Sequence, residues 1–207
     1  REKQSELAAL QAQINPHFLY NTLDSINWMA IRYGARDIQK MVVSLATMLR
    51  YSLNNGQNLI AVQDEIKQVQ SYINLQQIRF ENCFESEIRI QEEMNSCIII
   101  KLLLQPLVEN AIVHGLSAQK EGGKIHIRAR RADGRLWLWV SDTGCGMAEE
   151  RLAQIRGALA AGDEKATGVG LGNIYRRIHA MYPDGEMEVY SRAGCGTVIR
   201  LAVGVGQ

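Results

Sequence analysis

Three stretches of this 207-residue chain carry residue types that could do chemistry. The first set is rich in glycine: Asp142-Thr143-Gly144-Cys145-Gly146, then Gly168-Val169-Gly170-Leu171-Gly172-Asn173, then Gly194-Cys195-Gly196-Thr197. Of the 18 glycines, only Gly34 and Gly56 precede Gly115. Glycine costs backbone entropy, so clustering needs a local reason. One reason is a tight turn; the other is backbone amides that must come close to an anion. The 168–172 spacing is not a Walker A loop, because no Gly-Lys-Ser/Thr follows, and it lies too late in the chain for a dinucleotide fingerprint.

The second set is Glu109-Asn110 within an apolar run from Leu102 to Gly115, with His114 one turn on. This pair either forms the wet edge of a core helix or does work. In the working reading, the Asn110 side-chain oxygen holds magnesium and His114 sits near phosphates. Magnesium keeps its waters and needs few protein groups. Asp142, at the end of an apolar strand, either caps a turn or accepts a hydrogen bond from an adenine amino group. Gly144 and Gly146 would let the backbone pass under a base. Gly168, Gly170, Leu171 and Gly172 open a helix whose amino end can face phosphates. Thr197 could reach the base side.

The third set is His17 in Asn15-Pro16-His17-Phe18-Leu19-Tyr20-Asn21. A lone helical histidine is ordinarily a cap, a surface residue or a satisfied core group. Pro16 next to it is costly within a helix and predicts a kink. Asn21, four residues on, shares its face. Neutral imidazole can attack phosphorus through one nitrogen while the other is hydrogen-bonded.

These residues need scaffolding. Residues 1–32 read as a helix through Leu7, Leu10, Ile14, Leu19, Leu23, Ile26 and Ile31, and a second helix runs from Asp37 to Leu53. Gly34 marks the turn between them. Such a hairpin has too little core alone, and pairing with a second copy would make a four-helix bundle. The polar run at 54–58 is the boundary, giving domains 1–57 and 58–207. The second domain predicts a helix from Asp64 to Phe80, a strand at 87–90, a helix from Ile98 to Gly115 and strands at 124–130 and 136–140. Ala132-Asp133-Gly134 makes the hairpin turn between those strands. Trp137 and Trp139 lie opposite Leu136, Leu138 and Val140, so both sides of that strand are expected to meet other structure. Helices at 148–159 and 171–181 and strands at 187–190 and 197–203 complete it. The class is α+β, a helical hairpin followed by a two-layer α/β sandwich. Residues 157–167, small and polar, read as a mobile lid.

Composition bounds the rest. The formal net charge of +1 implies no basic face for nucleic acid. Cys83, Cys97, Cys145 and Cys195 form no Cys-x-x-Cys pair, which disfavours zinc and iron–sulfur centres. No apolar stretch is long enough to cross a membrane, and no secretory signal is visible. The chain starts at Arg1, inside a predicted helix, so a longer protein with an upstream sensor and membrane region is expected.

Taken in order, the box at 15–21, the run Gln105-Pro106-Leu107-Val108-Glu109-Asn110-Ala111-Ile112-Val113-His114-Gly115 and the three glycine clusters resemble a known family. They are similar to the catalytic core of bacterial sensor histidine kinases of the Asn-Pro-His-Phe-Leu-Tyr-Asn phosphoacceptor class (LytS/YesM-like), with a GHKL-type ATPase domain. Thr143 replaces a commoner asparagine, and Ile100 stands where proline often precedes the lysine. Phe18 follows His17 where commoner histidine kinases carry an acid. The resemblance implies ATP and Mg2+ as nucleotide and metal, phosphorylation of His17 and a magnesium-holding Asn110. It also implies adenine recognition by Asp142, with Gly144, Gly146, Gly168, Gly170 and Asn173 shaping the pocket. Glu109 is the candidate to assist the imidazole. Further implications are a homodimer, transfer to an aspartate on a response regulator receiver domain, and location in the cytoplasmic portion of a membrane sensor. The competing reading is an ATP-binding regulatory module without kinase output.

Overall fold

The computed structural model describes residues 16–53, 58–81, 83–116, 122–163 and 169–204. Asn15, Gly168 and the residues expected to precede Pro16 in the first helix lie outside them. The chain divides into two units, Arg1–Asn55 and Gly56–Gln207.

The first unit is a helical hairpin of α1 (Pro16–Arg32) and α2 (Arg36–Leu53). Its turn is closed by Gly34 N–H donating to Ile31 O and Ala35 N–H donating to Ala30 O. Leu23, Ala30, Val42 and Ser44 are buried within it. Of the predicted stripe, Ile26 and Ile31 are exposed, and so are Ile38, Met41 and Leu45 on α2.

The second unit opens with β1 (Leu59–Ala61), α3 (Val62–Arg79) and β2 (Phe84–Ile90). A 3-10 turn (Glu92–Met94) leads to β3 (Ile98–Ile100). A bend at 101–104 precedes α4 (Gln105–Asn110), which widens into a π-helical turn, Ala111–Leu116. Then come β4 (Gly123–Ala132), β5 (Arg135–Asp142), α5 (Glu149–Ala161), α6 (Val169–Met181), β6 (Glu186–Arg192) and β7 (Gly196–Gly204). The main sheet has the order β2-β4-β5-β7-β6, with β2 and β4 parallel and the other pairs antiparallel.

Alternation decides which side of the sheet is dry. Ile125, Ile127 and Ala129 of β4, Leu136, Leu138 and Val140 of β5, and Ile199 and Leu201 of β7 are buried. The helices supply Ile73, Leu107, Ile112, Leu152 and Ile174 to the same core. The two-residue turn after Ala132 has Asp133 at φ 53° and Gly134 at φ 73°, both left-handed, as a tight hairpin of this hand requires.

Three expectations fail. The predicted helix from Ile98 to Gly115 is a strand, a bend and a shorter helix. Ile98-Ile99-Ile100 is β-branched and pairs with β1, Ile99 opposite Ile60. Pro106 has no N–H to donate and fits only a first helical turn, so the helix starts at Gln105. The lid expected at 157–167 starts too early. Residues up to Ala161 are helical, Ala158 and Leu159 are buried, and Gly162 at φ 70° ends the helix; residues 164–167 lie outside the described set. The far side of β5 is covered by arginines, not by another described element. Trp137 and Trp139 stack with centroids 6.0 Å apart, Arg130 lies 5.0 Å over Trp139 and Arg200 4.8 Å over Trp137. Guanidinium groups cover aromatic faces while staying wet.

Leu138 is fully buried at the centre of the sheet. Leu138→Ala should lower the unfolding free energy by about 2–5 kcal/mol in urea titrations.

Candidate functional site: a cavity at the end of the central strand

A cavity of about 510 Å³ opens between the carboxyl end of β5, the α4 and π-turn segment, and the starts of α5 and α6. Among the sequence candidates, Glu109, Asn110, His114, Asp142 and Gly146 line it, with Gly170, Leu171 and Thr197. Gly144 lies directly behind Asp142, while Gly172 is buried within α6 and Asn173 is exposed on it; none of the three is on the wall. Gly168 is outside the described residues. His17 belongs to the other unit and is exposed on α1.

Asp142 is 7% exposed. Gly144 N–H donates to its Oδ1 at 2.8 Å. Burial pushes its carboxyl above the ordinary carboxylate range, and the backbone N–H groups of Gly144 and Thr197 pull partly the other way. The adjoining backbones leave no room for side chains. A Cβ on Gly144 would lie 2.1 Å from Gly115 O, and one on Gly115 would lie 2.7 Å from Asp142 Oδ1. Gly146 sits at φ 61°, where a Cβ would also strike Arg192 O at 2.0 Å. Cys145 ties the loop down. Its N–H donates to Gly115 O at 2.9 Å and its thiol to His114 O at 3.2 Å. On the other side Ser191 Oγ accepts from Met147 N–H and meets Thr197 Oγ1, each at 2.9 Å.

The helix bearing Glu109 and Asn110 is anchored at its start. Leu102 is at φ 57°, a costly conformation for a leucine. The fully buried Glu65 of α3 accepts N–H bonds from Leu102 at 2.9 Å and Leu104 at 2.8 Å. Arg177 donates to Leu102 O at 2.9 Å and Tyr182 Oη accepts from Ile100 N–H at 2.9 Å. Burial raises the Glu65 carboxyl, against the lowering effect of its backbone donors. Glu109 itself accepts from Gln105 Nε2 at 2.9 Å. The π turn that follows widens the helix where Val113 and His114 reach the wall; such bulges often mark working segments.

Several wall residues were not singled out in the sequence: Pro106 and Val113 on the α4 segment, and Met147, Arg151 and Ile155. Their spacing was available. Arg151 and Ile155 are four apart on α5, and Pro106 and Asn110 four apart on α4, so each pair shares a face. Glu65, Arg177 and Tyr182 carried no such signal, because their roles depend on a bend 36 or more residues away along the chain.

The side chains suit a nucleotide with a divalent cation. A carboxylate in a nearly dry wall can accept from an exocyclic amine. Among the described residues no group of three or more His, Cys, Asp or Glu could cage a metal. Asn110 with phosphate oxygens would be a normal magnesium set.

A profile described as histidine kinase-, DNA gyrase B- and HSP90-like ATPase matches residues 97–206, the span that builds this cavity. The chain belongs to that family. A histidine kinase profile also matches residues 5–84. Sensor histidine kinase YesM of Bacillus subtilis (strain 168) is 39% identical over 203 residues, covering 97% of this chain and 33% of the relative. Sensor protein LytS of Bacillus anthracis is 32% identical over 201 residues, covering 96% and 34%. The chain thus spans about a third of the length of the curated relatives it matches. The histidine kinase domain of the Erythrobacter litoralis EL346 blue-light activated kinase is similar in fold, with TM-score 0.52 at 15% identity and coverage of 98% and 94%. The second unit of this family member is an ATP-binding catalytic domain of the histidine-kinase kind, preceded by a histidine-kinase helical region.

Because burial raises Asp142, the folded state holds its proton more tightly than the unfolded chain does. Its contribution to stability is full below its ordinary value of 3.8 and is lost as pH rises through the raised folded value. Asp142→Asn keeps an oxygen for Gly144 and removes the titration. The stability of wild type relative to Asp142→Asn should therefore fall as pH rises from about 3 to 7, read from urea unfolding at each pH.

Proposed function

We propose that this chain transfers the γ-phosphoryl group of ATP to His17 and hands it on to an aspartate of a response regulator receiver domain. The observation that carries this reading is the convergence of Asp142, Glu109, Asn110 and the first described turn of α6 on one cavity within the ATPase-family span. In this reading Asp142 accepts from the adenine amino group, and Gly144 and Gly146 let the backbone lie close beneath the base. Gly170 and Leu171, on the cavity wall, turn the start of α6 toward the phosphates, and Gly168 and Gly172 are assigned with them from the glycine spacing alone. His114 and Thr197 complete the surround on the wall, and Asn173, off the wall, is assigned to the pocket from the motif alone. Asn110 would hold magnesium, whose charge offsets the negative charge of the phosphates.

His17 lies beside Asn21, the amide nitrogen and imidazole Nδ1 3.2 Å apart. Turned over, that amide accepts a hydrogen bond from the proton held on Nδ1 and leaves Nε2 as the nucleophile. A bond forms from Nε2 to the γ-phosphorus, and the bond from that phosphorus to the β–γ bridging oxygen breaks as ADP leaves. Phe18 offers no proton acceptor next to His17, and Glu109 is the carboxylate assigned to take over the Nδ1–H from Asn21 during attack and so polarise the imidazole. Positioning and charge stabilisation supply the acceleration.

The hairpin leaves large apolar side chains in water, Trp28 71% and Phe18 66% exposed among them. That area favours a homodimer in which two hairpins form a four-helix bundle. The reading also makes this chain, residues 1–57 and 58–207 as its two domains, the cytoplasmic part of a longer membrane sensor with no direct nucleic-acid contact. No helix of the described residues is long and apolar enough to cross a membrane.

Incubation with labelled ATP and magnesium should give acid-labile, alkali-stable label on wild type and none on His17→Gln. Label retained by His17→Gln removes His17 as the acceptor, and ATP binding without any label on wild type favours a regulatory module instead. In Asp142→Asn the Asn oxygen faces Gly144 and the NH2 group meets the adenine amine donor to donor. ATP affinity measured by titration calorimetry should drop at least about tenfold, close to 1.4 kcal/mol.

A further inference from the structure

The buried side of α3 carries a second polar group one turn after Glu65. Gln68 is fully buried, and its Nε2 donates to Gln105 Oε1 at 2.7 Å. Gln105 Nε2 in turn donates to Glu109 Oε1 at 2.9 Å. The direction of this chain is not arbitrary. A carboxylate only accepts, so Gln105 must turn its NH2 group to Glu109. That turns Gln105 Oε1 toward Gln68, which must then present its own NH2 group. Each amide fixes the next, and the last link fixes one oxygen of Glu109, whose side chain lines the cavity. Gln68 Oε1 is buried with no hydrogen-bond partner. A methionine of similar volume would relieve that cost, so packing alone does not account for glutamine here. Tyr72, one turn further along α3, is pushed up to about 12 by burial and by the charge of Glu109.

We propose that Gln68, acting through Gln105, is a positioning residue that sets the rotamer and lone-pair direction of Glu109 for phosphoryl transfer. The proposal rests on the kinase reading above. It predicts that a substitution remote from the cavity wall slows chemistry without weakening ATP binding, since neither glutamine lines the cavity.

Gln68→Met, Gln105→Met and the double variant test it in the whole chain, with thermal midpoint, ATP affinity and single-turnover autophosphorylation measured on each. Gln68→Met should keep or raise Tm and hold ATP affinity within about twofold. Its labelling rate should fall about tenfold or more. Gln105→Met strands the buried Gln68 donor and should lower Tm. The double variant should recover Tm while labelling no faster than either single variant. Gln68→Glu adds a readout that packing would not move. Its protonated acid can donate to Gln105, so the rate should rise as pH falls, on a limb absent from wild type. Gln68→Met with a wild-type labelling rate, or Gln68→Glu with a wild-type pH profile, overturns the proposal. Absence of label on wild type instead overturns the kinase reading beneath it.

Discussion

The second unit turns on a contact between two backbones that tolerates no side chain. Gly144 lies against Gly115, and the carboxylate of Asp142 fills what space remains. Because Gly115 lies within the π turn and Gly144 follows β5, this contact joins the sheet to the segment bearing Asn110. It also dries Asp142, which raises its affinity for a proton and sharpens its preference for a donor partner. Cys145 N–H and thiol, both spent on the π turn, hold the two backbones in register.

The same segment is constrained from its other end. Leu102 occupies a left-handed conformation, and a strained residue persists only where its surroundings over-determine it. Glu65, Arg177 and Tyr182 supply that surplus, from α3, α6 and the turn after α6. A carboxylate accepting backbone N–H groups does at the start of α4 what a capping side chain does at an ordinary helix. The helix could not cap itself: Leu104 stands at its N-cap with no side-chain acceptor.

The sheet is two-faced in a less usual way. Its dry side is aliphatic, while its wet side carries two tryptophans under arginines that are themselves partly paired with acids, as Arg200 is with Glu188 and Arg135 with Glu186. Each cation–π contact at such exposure is worth about 0.5–1 kcal/mol, so the layer stiffens the sheet without forming a second core.

Much of this was legible beforehand. Period-two alternation marked β4 and β5, Asp133-Gly134 marked their turn, and Glu109-Asn110, Asp142, Gly146 and Gly170 marked residues that the cavity gathers, while Gly144, Gly172 and Asn173 from the same motifs lie off its wall. These are local signals: strand period, turn chemistry and polar pairs inside apolar runs report on their own neighbours in the chain. The break at 101–104, the Glu65 anchor and the Gln68–Gln105–Glu109 chain were not legible. A run as apolar as 98–115 satisfies helix and buried strand alike. Only pairing of Ile99 with Ile60, and a carboxylate brought from α3, decide between them. Amino-acid order alone determined which residues could do chemistry and the outline of the layers. Tertiary packing decided where the helix starts, which way each amide turns and how dry Asp142 becomes, because those outcomes depend on atoms that meet only once the chain has folded.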